Sequence, residues 1–526
     1  MESNFRRLSE NSGIFSETDT EIILSGEFFK IEEVVSVESL SEMSLLSQVS
    51  SGTSGGFAIN EDENINYIKN NPNLNLTGRN VIIAIADTGI DYLHPDFINA
   101  DGTSKILYLW DQTKEGNSPE GFYFGTEYTR DDINRAISEN DSTLSTDEVG
   151  SGTLLSGICA GLGVSNSLYE GVAKDSELIV IKLGTIDGKY NNAYYYVARD
   201  YARKKARELE RPLIINTSVG TNSDVGFINR ATQSTIWYQY GECEIAGIGN
   251  EGNTQTHASG KISAEGETQT VEIEIEEEEE FLRIELWICR PDRVNIKIIS
   301  PTGEESKDVG LGYYKKESGI FNFENTTYAV FYVFPTSYSG QEFIIINLYN
   351  ASPGIWKINL TGVYINSGCY NVYLPNRSLI NQNTRFLEPD PFYTVNFPTV
   401  DRNIFTVGAY DMINNSMWPP SSRGPNIRNI QKPNIVAPGV NIISAYPHNR
   451  YGNITGTSAA AAVTSGVAAL FLQYVTQNNQ YKRQGFTQSI YSFFQLGSDR
   501  EDNIQYPNFI YGYGLLNARK IFEEFR

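Results

Sequence analysis

Arg79-Asn80-Val81-Ile82-Ile83-Ala84-Ile85-Ala86-Asp87-Thr88-Gly89-Ile90-Asp91 is the stretch on which the fold turns. Every side chain from Val81 to Ala86 is apolar, so neither face of such a strand can meet water, and a sheet covered by helices on both sides is the place for it. The run ends in a carboxylate. Open α/β sheets collect their functional groups at the C-terminal edge of these strands, although a turn-capping aspartate accounts equally well for Asp87 taken alone.

Working outward, the same alternation continues downstream. Gly150 to Gly161 is a run of small and apolar residues that reads as a helix buried nearly all round. Glu177 to Leu183 reads as a strand, Asn191 to Leu209 as a helix, Arg211 to Ser218 as a strand and Phe227 to Tyr240 as a helix. Cys243 to Ile248 is a further strand, which ends in Gly249-Asn250-Glu251-Gly252. Strand and helix in alternation predict a parallel sheet with helices on both faces.

Between about 260 and 375 the character changes. Val271–Ile275, Phe281–Trp287, Val294–Ile298, Phe343–Leu348, Ile355–Leu360 and Cys369–Leu374 mostly alternate apolar with polar and are split by turn residues, which fits an antiparallel sandwich of jelly-roll type. The acidic run Glu276 to Glu280 reads as the solvated rim of a hairpin rather than a cation site. Asn403 to Ala409 then resumes the parallel body, so the sandwich is an insertion. The expected organisation is a short N-terminal segment and linker over 1–60, a first part of the α/β body over 61–258, the inserted β domain over 259–378 and the rest of the body over 379–526.

Upstream, the first 60 residues are polar and Ser-rich, with an apolar patch from Gly26 to Val35 and a helix-like stretch from Leu40 to Leu46. This segment is too short for a core of its own and must dock or stay mobile. The Ser-Gly run from Ser50 to Gly56 reads as a linker, and a helix is expected near Asn64–Ile68.

The second chemical stretch is Tyr451-Gly452-Asn453-Ile454-Thr455-Gly456-Thr457-Ser458, followed by four alanines. A glycine turn that delivers Ser458 into a close-packed helix start suits a nucleophile, because the helix dipole favours negative charge there. A capping serine is the plainer alternative.

The chain of 526 residues is 40% hydrophobic and carries a formal net charge of −23, which disfavours nucleic acid and anionic membranes as main partners. The N-terminus lacks an apolar h-region and no run of about 18 apolar residues stands out, so neither a secretion signal nor a membrane span is expected. Cys159, Cys243, Cys289 and Cys369 lie far apart, which suggests four free thiols and no zinc site. No metal or other cofactor is expected.

In order and context the motifs resemble those of the subtilisin-like serine peptidases, the subtilases. Asp87-Thr88-Gly89 with His94-Pro95-Asp96 resembles the catalytic-aspartate segment, and Gly150 to Gly161 the catalytic-histidine helix. Ser218, Val219 and Gly220 resemble the edge strand that pairs with substrate backbone, Asn250 the oxyanion asparagine, Lys432 to Val440 the stretch before the serine, and Gly456-Thr457-Ser458 the nucleophile motif. The resemblance implies a three-layer α/β subtilisin-like fold with an inserted antiparallel β-sandwich.

One position departs from the pattern. Where the family begins its His-Gly-Thr motif, this chain has Ser151-Gly152-Thr153, and its three histidines are His94, His257 and His448. A hydroxyl does not titrate near neutral pH, so Ser151 cannot lift the proton from Ser458. Asp147 and Glu148 are candidate weak bases just upstream, and His257 is a remote one.

A jelly-roll insertion on a chain without a secretion signal resembles, within the subtilases, the clostridial germination-specific Csp proteases. That resemblance implies a pseudoprotease in the spore, acting in germinant sensing or in regulation of an active member. Its partners would be other Csp-type proteases, a cortex-hydrolase precursor, or a small-molecule germinant. A weakly active serine endopeptidase that processes such a precursor is the alternative. The N-terminal segment would correspond to a reduced propeptide that stays covalently attached for want of self-cleavage.

Overall fold

The computed structural model describes residues 21–23, 28–30, 41–223, 225–226, 239–310, 315–334, 336 and 340–525. Ile82–Asp87 lies in the middle of a nine-stranded sheet, with all six residues buried. Leu213–Thr217 and Glu177–Lys182 flank it in parallel, Glu242–Gly247 and Phe405–Asp411 continue one side, and Ile106–Asp111 continues the other. Short antiparallel strands, Ser416–Met417 and Thr126–Thr129, close the two edges.

The apolar strands carry two cores, one on each face. Ile83 and Ile85 point into a cluster with Leu154, Leu155 and Ile158 of the helix Ser151–Ala160 and with the alanines of the helix Thr457–Gln477. Ile82, Ala84 and Ala86 point the other way, onto Tyr195, Val197, Ala198 and Tyr201 of the helix Asn192–Glu208. This is the three-layer arrangement expected from the continuous apolar run. The helix Thr457–Gln477 is long and apolar enough by composition to cross a membrane, but 89% of its apolar window is buried in the body, as in a core helix. The helix expected over Phe227–Tyr240, except for its last two residues, and most of the apolar patch Gly26–Val35 lie outside the described residues.

Strands from His257 to Tyr373, joined by the short strand Arg385–Phe386, form the inserted β-rich unit. A six-stranded and a four-stranded antiparallel sheet share a core of inward side chains that includes Trp356, Leu282, Ile296 and Ile346. The strands Lys315–Phe321 and Thr326–Val333 belong to it and carried too weak an alternation to be read beforehand. Trp287, Phe343 and Tyr373 reach from the insertion into the second core of the body, so the two units share one buried interface.

Two expectations are overturned. Cys289 and Cys369 form a disulfide with a Cα separation of 5.5 Å, while Cys159 and Cys243 are free and buried. The pair is 80 residues apart in sequence, and only the register of neighbouring antiparallel strands brings the two turns together: Cys289 N–H donates to the Cys369 carbonyl at 3.0 Å. By loop closure, Cys369→Ser is expected to destabilise the protein by about 2–4 kcal/mol in non-reducing urea unfolding. An unchanged midpoint would mean the pair is not closed in solution.

The second correction concerns Leu40–Leu46. Glu42–Leu45 is a strand, not a helix, and Gln48–Ser50 is a second one beyond a bend. Serines at 41, 44 and 47 are weak helix formers, and an open groove in the body offers backbone partners on both sides, so tertiary pairing overrides local spacing.

Candidate functional site

The C-terminal end of Ile82–Asp87 delivers Asp87 into the interior, where it is 1% exposed. Its carboxylate accepts the Thr88 N–H at 2.7 Å and the Ser218 hydroxyl, and the Ser151 hydroxyl lies close enough to favour its charged form. Burial outweighs these donors and pushes its pKa up to about 6.

Ser151 opens its helix directly above that carboxylate. Gly152 permits the approach, since a side-chain carbon there would lie 2.1 Å from the Gly89 carbonyl oxygen. Asp147 holds the helix start, accepting from Gly150 N–H at 2.7 Å and Thr88 Oγ1 at 2.6 Å on one oxygen, and from Thr153 N–H and Oγ1 at 2.8 and 2.6 Å on the other. Both oxygens are thus committed to capping. Glu148 is paired with Lys182 at 2.8 Å. Neither carboxylate is placed as a base for Ser458.

Ser458 is the second residue of the helix Thr457–Gln477, and Gly456 occupies the cap position, so Ser458 is not the N-cap. Its hydroxyl instead donates to the carbonyl of Leu46 at 2.8 Å, and its N–H approaches the same oxygen at 3.3 Å. Gly456, at φ 148°, makes room: a side-chain carbon there would sit 2.1 Å from the Leu46 oxygen. Asn250 accepts Thr457 N–H and Oγ1 through its Oδ1 at 3.1 and 2.9 Å, which leaves its NH2 group as the remaining donor on this side of the cleft.

The cleft is therefore filled by the chain itself. Glu42–Leu45 lies between Val219–Gly220 and Lys189–Asn191, antiparallel to both, with Leu45 opposite Val219 and Met43 opposite Tyr190. Leu46 N–H donates to the Ser218 carbonyl at 2.8 Å, and the Leu46 side chain, 1% exposed, packs against Gly220. Beyond the bend, Gln48–Ser50 pairs with Arg450–Thr455. Ser218, Val219 and Gly220 do hold an extended strand, and its Leu46–Ser47 peptide bond lies between Ser458 and Ser151, where a scissile bond would be. The Ser47 hydroxyl meets the Ser151 hydroxyl at 3.0 Å.

The histidines are engaged elsewhere. His94 Nε2 is 2.9 Å from the Arg450 carbonyl and its Nδ1 accepts Asp96 N–H. His257 is buried between the Asp390 carbonyl at 3.0 Å and Asn371 Oδ1 at 3.1 Å, with its ring against Tyr373, and burial holds its pKa below the usual value. His448 stands in a turn where its backbone N–H donates to Asp91 Oδ2 at 2.7 Å. Among the described residues, no cluster of three or more metal-ligating side chains occurs.

Residues 78–274 and 376–514, more than half of the chain, match the model of the subtilase family, peptidase S8. The chain belongs to the subtilase family. Among curated subtilases, the serine protease AprX of Bacillus subtilis is 34% identical over 145 residues, which are 24% of this chain and 31% of AprX. A subtilisin of Bacillus sp. strain TA39 is 31% identical over 194 residues, 36% of this chain and 39% of that one. The chain thus spans between 31% and 39% of the length of these relatives. The solved structure of the CspB protease of Clostridium perfringens is similar over 88% of this chain and 98% of that one, at TM-score 0.79 and 25% identity. That similarity extends over more of the chain than the family model matches and agrees with the likeness to Csp proteases.

Sequence reading missed Ser44, Leu46, Ser47 and Asn376, all of which meet in the cleft. Nothing in the local pattern marks a Ser-Leu-Leu-Ser tetrapeptide as a strand bound in a groove. The one available signal was that a short docked segment ahead of a subtilase body needs a surface, and the unpaired edge of Val219–Gly220 is the surface with free backbone groups.

Proposed function

We propose that this subtilase is a pseudoprotease that serves bacterial spore germination as a regulatory or germinant-sensing component. The observation that carries the reading is the identity of the group beside Ser458. Where a base must accept the nucleophile's proton, the chain presents the Ser151 hydroxyl, itself bonded to Ser47 and close to Asp87. Without a base the Ser458 hydroxyl stays protonated, and the oxyanion donors that survive stabilise only about 10³ over water. The N-terminal segment accordingly remains covalently attached. The germination role, the spore location and partners of the Csp-protease or cortex-hydrolase-precursor kind rest on the likeness to the CspB protease.

A fluorophosphonate probe tests the inert reading. The expected result is no adduct on Ser458, since labelling requires an activated hydroxyl; prompt labelling overturns it. Titration calorimetry with bile salts and with free amino acids tests sensing, and heat saturating at one site per chain supports a small-molecule germinant. Absence of heat with both classes leaves a purely protein-binding regulator.

The alternative, a weak endopeptidase, draws on one observation: Ser458 N–H and Oγ already address the Leu46 carbonyl as they would a bond about to be cut. Incubation of the pure chain followed by intact-mass measurement decides the point, with cleavage between Leu46 and Ser47 as the signature of activity.

A further inference from the structure

We infer that Ser151, standing where a base would, and Asn376, at the end of the inserted unit, make this cleft a hydroxyl-selective receptor for the chain's own Ser44-Leu45-Leu46-Ser47 segment. Backbone pairing along Val219–Gly220 is blind to sequence, and any extended peptide satisfies it. Selectivity has to come from side chains, and two polar grips bracket Leu46.

The first grip is on Ser47. Ser151 is fully buried, and its hydroxyl lies close enough to the Asp87 carboxylate to favour the charged form. The Ser151 oxygen meets the Ser47 hydroxyl at 3.0 Å, and either hydroxyl can donate in that bond. The hydroxyl pair sits in a buried site next to a carboxylate, where low local dielectric makes its hydrogen bond stronger than in water. A residue without a hydroxyl at 47 removes that bond.

The second grip is on Ser44. Asn376 is 0% exposed; its Nδ2 donates to Ser44 Oγ at 2.7 Å and to the Gly220 carbonyl at 3.2 Å, and its Oδ1 accepts Asn222 N–H at 2.6 Å. Asn222 in turn is bonded to Thr256 and to the Leu374 carbonyl, at the foot of the inserted sandwich. A segment without a hydroxyl at 44 would leave a buried amide N–H short of its partner, which costs the desolvation of that group rather than the modest net value of a bond. Any strand that displaces the bound one must therefore carry hydroxyl side chains three residues apart around an apolar pair. The inference stands on cleft geometry and does not depend on the germination role.

The test is a double-mutant cycle on the full chain, read by amide hydrogen exchange over residues 43–50. Ser47→Ala and Ser151→Ala are each expected to speed exchange there about five- to tenfold, the yield of one hydrogen bond. The double variant is expected to be no faster than either single one, because both remove the same link. Ser47→Thr keeps the hydroxyl and is expected to restore protection, and Ser44→Ala is expected to speed exchange over 42–46 and in the adjoining strand Val219–Gly220. Exchange in Ile82–Asp87 controls for global unfolding. Multiplicative single effects, or no effect of Ser47→Ala, overturn the inference. Intact mass taken on the same samples reports separately on the pseudoprotease reading, since a cut at Leu46–Ser47 would overturn that reading while the cycle still tests the grip.

Discussion

Ser151→His is expected to turn the chain into one that cuts itself between Leu46 and Ser47. The imidazole would replace the Ser151 hydroxyl between Asp87 and the Ser47 nitrogen, accept the proton of Ser458 as its oxygen attacks the Leu46 carbonyl carbon, and return that proton to the departing Ser47 amine. The acyl-enzyme on Leu46 would then be released by water. The Leu46 oxygen already faces the Ser458 N–H, and Asp87 already offers the carboxylate that would orient the new ring. In subtilisin itself, losing the histidine costs about 2 × 10⁶ in kcat, roughly 8–9 kcal/mol of transition-state stabilisation, and that known case sets the scale of the gain. Intact mass should show fragments 1–46 and 47–526 within hours, and Ser151→His combined with Ser458→Ala should show none. If the histidine variant is folded and stays whole, more than the base is missing from this cleft.

The second large effect is on stability. Asp87→Asn is expected to stabilise the protein by about 2–3 kcal/mol at pH 8, and to change little at pH 4. The sign follows from the direction of the shift. Burial raises the folded-state pKa of this carboxyl from 3.8 to about 6, so the folded protein carries a desolvated charge above pH 6 that the unfolded chain carries in water. That penalty is relieved as pH falls through 6 and is gone near the unfolded value. An isosteric amide removes it at every pH, keeps an acceptor for the Thr88 N–H, and leaves the Ser218 and Ser151 hydroxyls free to rotate. Urea midpoints across pH 4 to 8 check the prediction. A loss of stability at pH 8 would show that the carboxylate is needed for the fold, which would remove one sign that the site descends from a working triad.

His257 behaves in the opposite sense. Its imidazole is buried and held below its ordinary pKa, chiefly by burial, so the unfolded state takes up protons first as pH falls below about 6.5. His257→Gln is expected to flatten the acid side of the stability profile in the same urea series, and an unchanged acid limb would count against a neutral buried ring.

How much of this was readable in advance follows the range of the forces. Val81–Ala86 and the helix after Ser458 are apolar all round, and burial on both faces is the only arrangement that spares such segments contact with water, so their places in a covered parallel sheet follow from local composition. The alternation of the sandwich strands likewise names one inward face. Asp87, Ser151, Asn250 and Ser458 were legible because each sits at a turn or helix start whose glycines are tied to it in sequence. By contrast, Lys315–Val333 carries little period-two contrast, and its strands exist because neighbouring strands supply a ladder.

From its own residues, then, the chain determined a helix-covered parallel sheet, an antiparallel insertion and a serine at the position of the expected base, since each of these depends on side chains within a few residues of one another. Tertiary structure alone decided that Cys289 faces Cys369, that Glu42–Leu45 is a strand, and that Leu46 lies on Ser458 with Ser47 on Ser151. Those contacts join residues dozens to hundreds of positions apart, and a backbone segment with weak preferences of its own takes the conformation of whichever edge satisfies its hydrogen bonds.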